Sequence, residues 1–287
     1  METLSTINFL MAAVFAACYC YQVVFAVARL LKKRRRFTAQ KLCRYAVLIA
    51  ARNESAVIAQ LLESIRGQNY PQDLVHVYVV ADNCTDNTAQ IAAACGARVF
   101  QRQNKLQVGK GFALRFLLQK IQEEYPQERY DGYFVFDADN LLDPRYITEM
   151  NKVFSSGNRV VTSYRNTKNY GDNWITAGYG LWFLRESEYL NRPRDYLGTS
   201  CAVSGTGFLF AHSLLEELGG WDYFLLTEEP RIWSSPPTWS AAGRKSPIAT
   251  TPSSTTSSPP ALPSPSGSAP AGSGATSRWW PSTAAIW

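Results

Sequence analysis

The sequence predicts an α/β domain built on an open, mostly parallel sheet with helices on both faces, preceded by one transmembrane helix. Three observations carry this expectation. From residue 42 onward, short apolar runs alternate with amphipathic helical stretches. Polar clusters stand at the carboxyl ends of those apolar runs, and residues 9–28 contain no charge at all. Strands that alternate with helices build a parallel sheet whose crossovers are the helices. Ligands of such sheets bind beyond the carboxyl ends of the strands.

The uncharged stretch comes first. Its twenty residues match the length a helix needs to cross a hydrocarbon core. Apolar residues on every face argue against a buried soluble helix. A cleaved signal would carry its charges first, have a shorter apolar run and end in small residues. Lys32, Lys33, Arg34, Arg35 and Arg36 follow the stretch and no Lys or Arg precedes it, so the positive-inside rule places residue 32 onward in the cytoplasm. The expectation is a single-pass anchor at residues 7–31 in a membrane of the bacterial cell-membrane kind, then a basic juxtamembrane linker at 32–41. That one cluster supplies five charges of a net +6, so the rest of the chain is close to neutral. It lacks the interleaved aromatics and distributed basic face of a nucleic-acid binder, so the composition points to a lipid membrane as partner and to no nucleic acid. Of six cysteines, Cys18 and Cys20 lie in the anchor, while Cys43, Cys84, Cys95 and Cys201 are scattered without a C-x-x-C. With only two His in the chain there is no zinc-type ligand set, and the thiols read as reduced and cytosolic.

The α/β domain is expected over residues 42–229. Residues 45–50 (YAVLIA) form a continuous apolar strand that ends at Arg52-Asn53-Glu54-Ser55. Helical spacing follows over 56–66, with Val57, Leu61, Leu62 and Ile65 on one face. Residues 75–80 (VHVYVV) form a second strand, ending in Asp82-Asn83-Cys84-Thr85-Asp86, and a helix over 88–95 leads to Gly96 and a short strand at 98–100. An amphipathic helix spans 111–124, and residues 133–136 (YFVF) form a third strong strand ending in Asp137-Ala138-Asp139. At Pro230 the composition breaks. All 23 acidic residues lie at or before Glu229, while the last 58 residues hold eleven of the fifteen Pro and fourteen Ser. Such a segment buries too little apolar surface to order itself, so 230–287 is expected to be a disordered tail.

The strand-end clusters carry the chemistry. Two carboxylates two residues apart, Asp137 and Asp139, suit a hard cation shared with phosphate oxygens; taken alone, they would also suit a turn with a helix cap. Asp82 is placed to accept hydrogen bonds from a nucleobase or sugar hydroxyl, with Asp86 or Thr85 capping the next helix. Lys105, Gly109, Lys110 and Gly111 make a small basic loop before a helix, suited to phosphate oxygens. It is not a Walker A, which would need glycine where Asn104 stands and Ser or Thr after Lys110. Ser204-Gly205-Thr206-Gly207-Phe208 is a small-residue loop that admits close approach to the backbone. Gly219-Gly220-Trp221-Asp222 leads to Thr227-Glu228-Glu229, where a carboxylate could serve as general base.

Six motifs in register, ARNES, ADNCTDNT, NKLQVGKGFAL, FDADN, SGTGF and GGW…TEE, resemble those of family 2 glycosyltransferases. The nearest likeness is the membrane-attached branch with the cellulose, chitin and poly-N-acetylglucosamine synthases. The resemblance implies a GT-A fold, the nucleotide-diphospho-sugar transferase architecture, and inverting transfer from a UDP-sugar donor to a sugar or glycan acceptor with Mg²⁺ or Mn²⁺. It implies that Asn53, Glu54 and Asp82 contact the uridine and Lys110 the diphosphate side. Asp137 contacts the nucleotide sugar, and Asp139 holds the metal with Asp137 beside it. Ser204, Gly205, Thr206, Gly207 and Trp221 lie near the acceptor, and Glu229, with Glu228 beside it, stands at the catalytic base. The family has Asp where Glu229 stands, and a displacement of about 1 Å can cost on the order of a hundredfold in rate.

The family also carries a Gln-x-x-Arg-Trp motif and, in this branch, further membrane helices; neither is found after Glu229. The tail from Lys245 (SPIATTPSSTTSSP) can be encoded so that a shifted frame reads Ile-Ala-Tyr-Cys-Asp-Asp-Ala-Val-Phe-Tyr-Asp-Glu-Gln-Pro, and Ser268 to Gly272 so that it reads Gln-Arg-x-Arg-Trp. Pro230 to Trp233 recode only in the other frame, so more than one indel is implied. The expectation is therefore an out-of-frame tail. A nucleotidyltransferase of the same fold would want a glycine-rich basic signature after the first strand, and ARNES is not one. The alternative that stands is a non-catalytic nucleotide-binding membrane module.

Overall fold

A computed structural model describes residues 2–31, 36–203 and 205–221, together with a short strand at 254–256. Ser204, Glu228, Glu229, the basic cluster at 32–35 and nearly all of the expected tail lie outside the described residues.

The chain opens with two consecutive helices, α1 (Glu2–Tyr19) and α2 (Tyr21–Leu31). Together, over Thr3–Leu31, they are long and apolar enough to cross a membrane, with a mean hydropathy of 2.0 in an 18-residue window of which none is buried. The helix starts earlier than the expected residue 7 and is interrupted at Cys20. Its second part rests on the domain: Arg29 pairs with Glu188 at 3.0 Å and Arg185 donates to Gln22 at 3.4 Å.

The domain follows as β1 (Tyr45–Ala51), α3 (Ile58–Arg66), β2 (Val75–Asp82), α4 (Thr88–Ala94), β3 (Arg98–Arg102), α5 (Lys110–Glu124) and β4 (Gly132–Asp137). Next come β5 (Leu141–Leu142), α6 (Tyr146–Ser155), β6 (Val160–Thr162), β7 (Arg165–Thr167) and α7 (Trp174–Arg185). A π-turned segment at Glu186–Asn191 joins α7 to α8 (Arg192–Leu197), and β8 (Phe208–Ala211), α9 (His212–Glu217) and β9 (Ser254–Thr256) complete the order. The main sheet runs β3-β2-β1-β4-β8-β6. Its first four strands are parallel, and β8 is antiparallel to both β4 and β6. The α/β class and the mostly parallel sheet agree with the sequence expectation.

The strands form where the apolar runs lie because β1 and β4 are covered on both faces. Tyr45, Leu48, Ile49, Phe134 and Phe136 are fully enclosed. Gly132 opens β4 where a Cβ would meet the Phe210 carbonyl oxygen at 2.9 Å, so only glycine allows that approach. Arg98–Arg102 runs two residues further than the sequence pattern suggested. Parallel pairing continues to the register Asp82↔Arg102, which keeps the charged end of the strand in the sheet.

The strand order sets the position of the site. The chain runs outward from β1 through β2 to β3, then returns to the other side of β1 as β4. The crevice at the carboxyl ends of β1 and β4 is therefore the topological switch point, where such sheets take ligands.

Of the segment expected to lack order, only Ser254–Thr256 is described. It forms the middle strand of a second small sheet, β5-β9-β7, antiparallel to β5 and parallel to β7.

Candidate active site

The loops that leave β1 and β2 are stitched to each other. Asn53, with φ at +56°, turns its side-chain oxygen to accept from the Thr85 amide at 2.8 Å. The Glu54 amide donates to Thr88 Oγ1 at 2.9 Å, and the Ser55 amide donates to Asp86 Oδ2 at 3.2 Å. Asp86 Oδ1 also accepts from the Thr88 amide at 3.1 Å and from Thr88 Oγ1 at 2.5 Å, which anchors the start of α4. These donors, the Thr88 hydroxyl first, hold the Asp86 carboxyl down at about 2. Asn53 is thus a loop-fixing residue as well as a candidate nucleoside contact.

A second stitch joins the ends of β2 and β3. Asn83 donates to the Asn104 carbonyl at 3.1 Å and accepts from the Asn104 amide at 2.9 Å. Asp82 is only 5 % exposed, and its Oδ1 accepts from Arg102 Nη1 at 2.5 Å. Arg102 Nη2 donates onward to the Gln107 carbonyl at 2.8 Å. The Asp82 carboxylate is therefore an ion-pair partner, and Arg102 shares whatever it does for a ligand. Arg102 was missed in the sequence because it lies at the end of a weakly apolar edge strand; the sheet register is what places it.

The third cluster gathers around β4. Lys110 opens α5 directly after Gly109, whose φ of +131° suits glycine. Its ammonium donates to Asp137 Oδ1 and to the Gly205 carbonyl oxygen, the latter at 2.6 Å. Thr206 Oγ1 accepts from the Asp137 amide at 2.8 Å and donates to Asn140 Oδ1 at 2.5 Å. Gly207 donates to the Val135 carbonyl at 2.8 Å. The 205–207 loop, Lys110 and the Asp137-Ala138-Asp139 turn thus form one hydrogen-bonded unit, which joins a loop expected on the acceptor side to residues expected on the donor side.

Glu54 faces this unit from β1. Its carboxyl is pushed up from the usual range, first by burial and then by the charges of Asp139, Asp137 and Asp86. Lys168, which the sequence reading also missed, lies near Asp139; burial lowers its ammonium and Asp139 opposes that shift. It follows the short strand β7, whose pattern carries no sequence signal. Among the described residues no three His, Cys, Asp or Glu side chains converge as a closed metal cage. A site with two carboxylates and concentrated negative charge still fits Mg²⁺ or Mn²⁺, because such ions take one or two protein carboxylates and complete their shell with phosphate and water. Asp137 and Asp139 are the residues that would hold it.

One expected contact is corrected. Trp221 is 5 % exposed and packs on Phe210 with ring centroids 5.7 Å apart, so it belongs to the core and not to an acceptor surface. An aromatic after two glycines fits either role in sequence; the β8 partner decides. Glu228, Glu229 and Ser204 lie outside the described residues.

A family profile described as "Glycosyltransferase like family 2" matches residues 43–257, past the composition break at Pro230. The chain is similar to a beta-monoglucosyldiacylglycerol synthase of Nostoc sp., 27% identical over 195 residues, covering 64% of this chain and 39% of the relative. It is also similar to a poly-beta-1,6-N-acetyl-D-glucosamine synthase of Staphylococcus epidermidis, 24% identical over 188 residues, covering 63% and 43%. The chain thus spans about two fifths of the length of the curated relatives it matches. In fold it resembles a mannosyltransferase of Pyrobaculum calidifontis solved in complex with GDP-Man and Mn²⁺. The TM-score is 0.55 at 20% identity, over 73% of this chain and 57% of that one. The switch-point site, the matching profile and this likeness agree, and the chain belongs to the family 2 glycosyltransferases, with the GT-A fold.

Proposed function

We propose that this chain carries the donor site of an inverting glycosyltransferase, which moves a sugar from a UDP-sugar to a membrane-delivered acceptor at the cytoplasmic face. The observation that supports it most is the single unit formed by Lys110, Asp137, Asp139 and the 205–207 loop, with Glu54 facing it across the switch point. Lys110 is in reach of a diphosphate bound at the start of α5. Glu54, Asn53 and the Asp82–Arg102 pair line the nucleoside side. The backbone at Gly205 and Gly207 gives an acceptor close approach. In the reaction a carboxylate, Glu229 with Glu228 as neighbour, takes the proton of an acceptor hydroxyl. The acceptor oxygen then bonds to the anomeric carbon from the face opposite the diphosphate. The bond to UDP breaks with its electron pair on the diphosphate oxygen, and the anomeric configuration inverts. A bound Mg²⁺ or Mn²⁺ would supply positive charge to that departing diphosphate.

The names of the relatives point to diacylglycerol and glycan acceptors, and a domain tethered beside a bilayer suits either. We assign residues 7–31 to the anchor, 32–41 to a basic linker facing the cytoplasm, 42–229 to the transferase domain and 230–287 to an out-of-frame tail. A second reading, a nucleotide-binding membrane module without turnover, is favoured by Glu in place of Asp at 229 and by the break at Pro230.

The test measures UDP release from UDP-glucose and UDP-N-acetylglucosamine with Mn²⁺, for the full chain and for a frame-corrected version. Turnover by the corrected version alone supports the transferase reading and the frameshift together. Binding of UDP by both without release supports the module. Absence of UDP binding in both refutes the donor site.

A further inference from the structure

We propose that α7 is a membrane-surface helix, seating its outward aromatic stripe in the headgroup region of the bilayer that α1 enters, and so holding the transferase site beside the membrane. Trp174, Leu181, Trp182 and Tyr189 are 83%, 56%, 55% and 53% exposed. With Gly178 and Arg185 between them, they recur at helical spacing and mark one face of α7 and the π-turned segment. Trp, Tyr and Arg are the side chains that settle at a membrane–water boundary, because each joins an apolar body to a polar end. The Arg185 guanidinium lies 5.5 Å from the centre of the Trp182 ring, which keeps its charge on the same stripe.

The opposite face is held by the protein, so the stripe is not a core face turned outward by chance. Thr176 is buried. At Gly180 a Cβ would meet the Tyr170 ring at 2.5 Å, so glycine lets the helix rest on that ring. Arg165 stacks 4.7 Å from the Phe183 ring and pairs with Glu186 at 3.4 Å.

What covers the stripe follows from its continuity with the apolar helix. At 1.5 Å per residue, the 18 residues of α1 reach ~27 Å, close to the ~30 Å of a hydrocarbon core. The helix breaks at Cys20, and α2 then lies along the domain. Gln22, only two residues beyond the break, accepts from Arg185 at 3.4 Å. Glu188 accepts from Arg29 at 3.0 Å and pairs with Arg192 at 2.7 Å, which fixes α2 against the π-turned segment and α8. Val23, Val24, Val27 and Leu30 of α2 stay exposed. The spanning part of the anchor is therefore α1, its α2 part lies at the bilayer boundary, and that boundary meets the carboxyl end of α7 where Arg185 reaches Gln22. Interfacial helices sink their apolar face roughly 5–10 Å into the headgroup boundary, a depth these side chains span.

The test places an environment-sensitive fluorescent amino acid at Leu181, at Tyr189, or at Gln90 on α4, which packs beside β3 at the other edge of the sheet. Each full-length variant is reconstituted as one copy per lipid nanodisc, with nitroxide-bearing lipids as quenchers. The expected result is a blue shift and quenching at Leu181 and Tyr189 by nitroxides just below the headgroups, with neither at Gln90. Water-like emission at Leu181 and Tyr189, equal to that at Gln90, overturns the proposal. Quenching that appears only when discs hold two copies also overturns it, and assigns the face to a second copy of the chain.

Discussion

Replacing Arg102 by Met tests whether Asp82 serves the fold, the nucleoside, or both. The Arg102–Asp82 pair is buried on both sides at 2.5 Å, and Arg102 also holds the Gln107 carbonyl at 2.8 Å. Removing the guanidinium leaves a carboxylate enclosed without its cation, which costs about 3–5 kcal/mol in comparable buried pairs. For a domain of this size each kcal/mol moves the melting temperature by roughly 2–4 °C. The R102M variant should therefore melt on the order of 10 °C lower in detergent. The double variant D82N/R102M removes the stranded charge and should recover most of that loss, since replacing both partners of a buried pair is often nearly neutral. UDP affinity, measured by calorimetry at a temperature where all variants are folded, separates the roles. If Asp82 contacts the nucleoside, the double variant stays weak for UDP although its stability returns. A drop of less than about 1 kcal/mol in R102M would refute the buried-pair argument. Full recovery of UDP affinity in the double variant would refute the nucleoside role.

Two further outcomes follow from the core. His76 has its imidazole lowered below 6.5, mainly by burial, although Glu128 pulls the other way. The fold thus favours the neutral ring, so stability is complete above 6.5 and is lost as pH falls from there through the lowered value; melting curves of H76Q should be flatter across that window than those of the unaltered chain. Gly132→Ala drives a methyl against the Phe210 carbonyl and the Leu209 and Phe154 side chains at 2.9–3.0 Å, and should cost about 1–3 kcal/mol in chemical unfolding while leaving UDP affinity intact.

Much of the sheet was legible because its central strands are covered on both faces. A fully buried strand reads as an unbroken apolar run, as at YAVLIA and YFVF, and the polar residues after each run then mark the ligand side. Arg102 and Lys168 were not legible, for a shared reason. Both lie on or just after short strands whose neighbours come from elsewhere in the chain, so only the register or the second sheet brings them to the site. Trp221 misled for the converse reason: a tryptophan after two glycines carries no mark of whether its ring faces a ligand or Phe210. The stripe on α7 was also unread. Its apolar residues occur nearly all round the helix, and the pattern alone does not say which of them the domain covers.

The charge balance of the site makes nucleotide binding depend on a cation, in a way that one substitution can reverse. Glu54, Asp86, Asp137 and Asp139 act on one another, against the ammonium groups of Lys110 and Lys168. Four carboxyl groups against two ammonium groups make the acidic side chains the majority here by two. A diphosphate arriving there meets repulsion of about 3 kcal/mol for each pair of like charges ~5 Å apart at an effective dielectric of 20. That energy corresponds to roughly a hundredfold in affinity. UDP should therefore bind about a hundredfold more weakly in EDTA than in saturating Mn²⁺, as read by calorimetry. Asp139→Asn removes one ligand of the ion and one of the repelling charges together. It should weaken UDP binding in Mn²⁺ and strengthen it in EDTA, so that the two titrations move in opposite directions. A purely structural role for Asp139 predicts a loss in both. Equal losses, or UDP binding indifferent to EDTA, would refute the electrostatic reading of the site while leaving the fold assignment untouched.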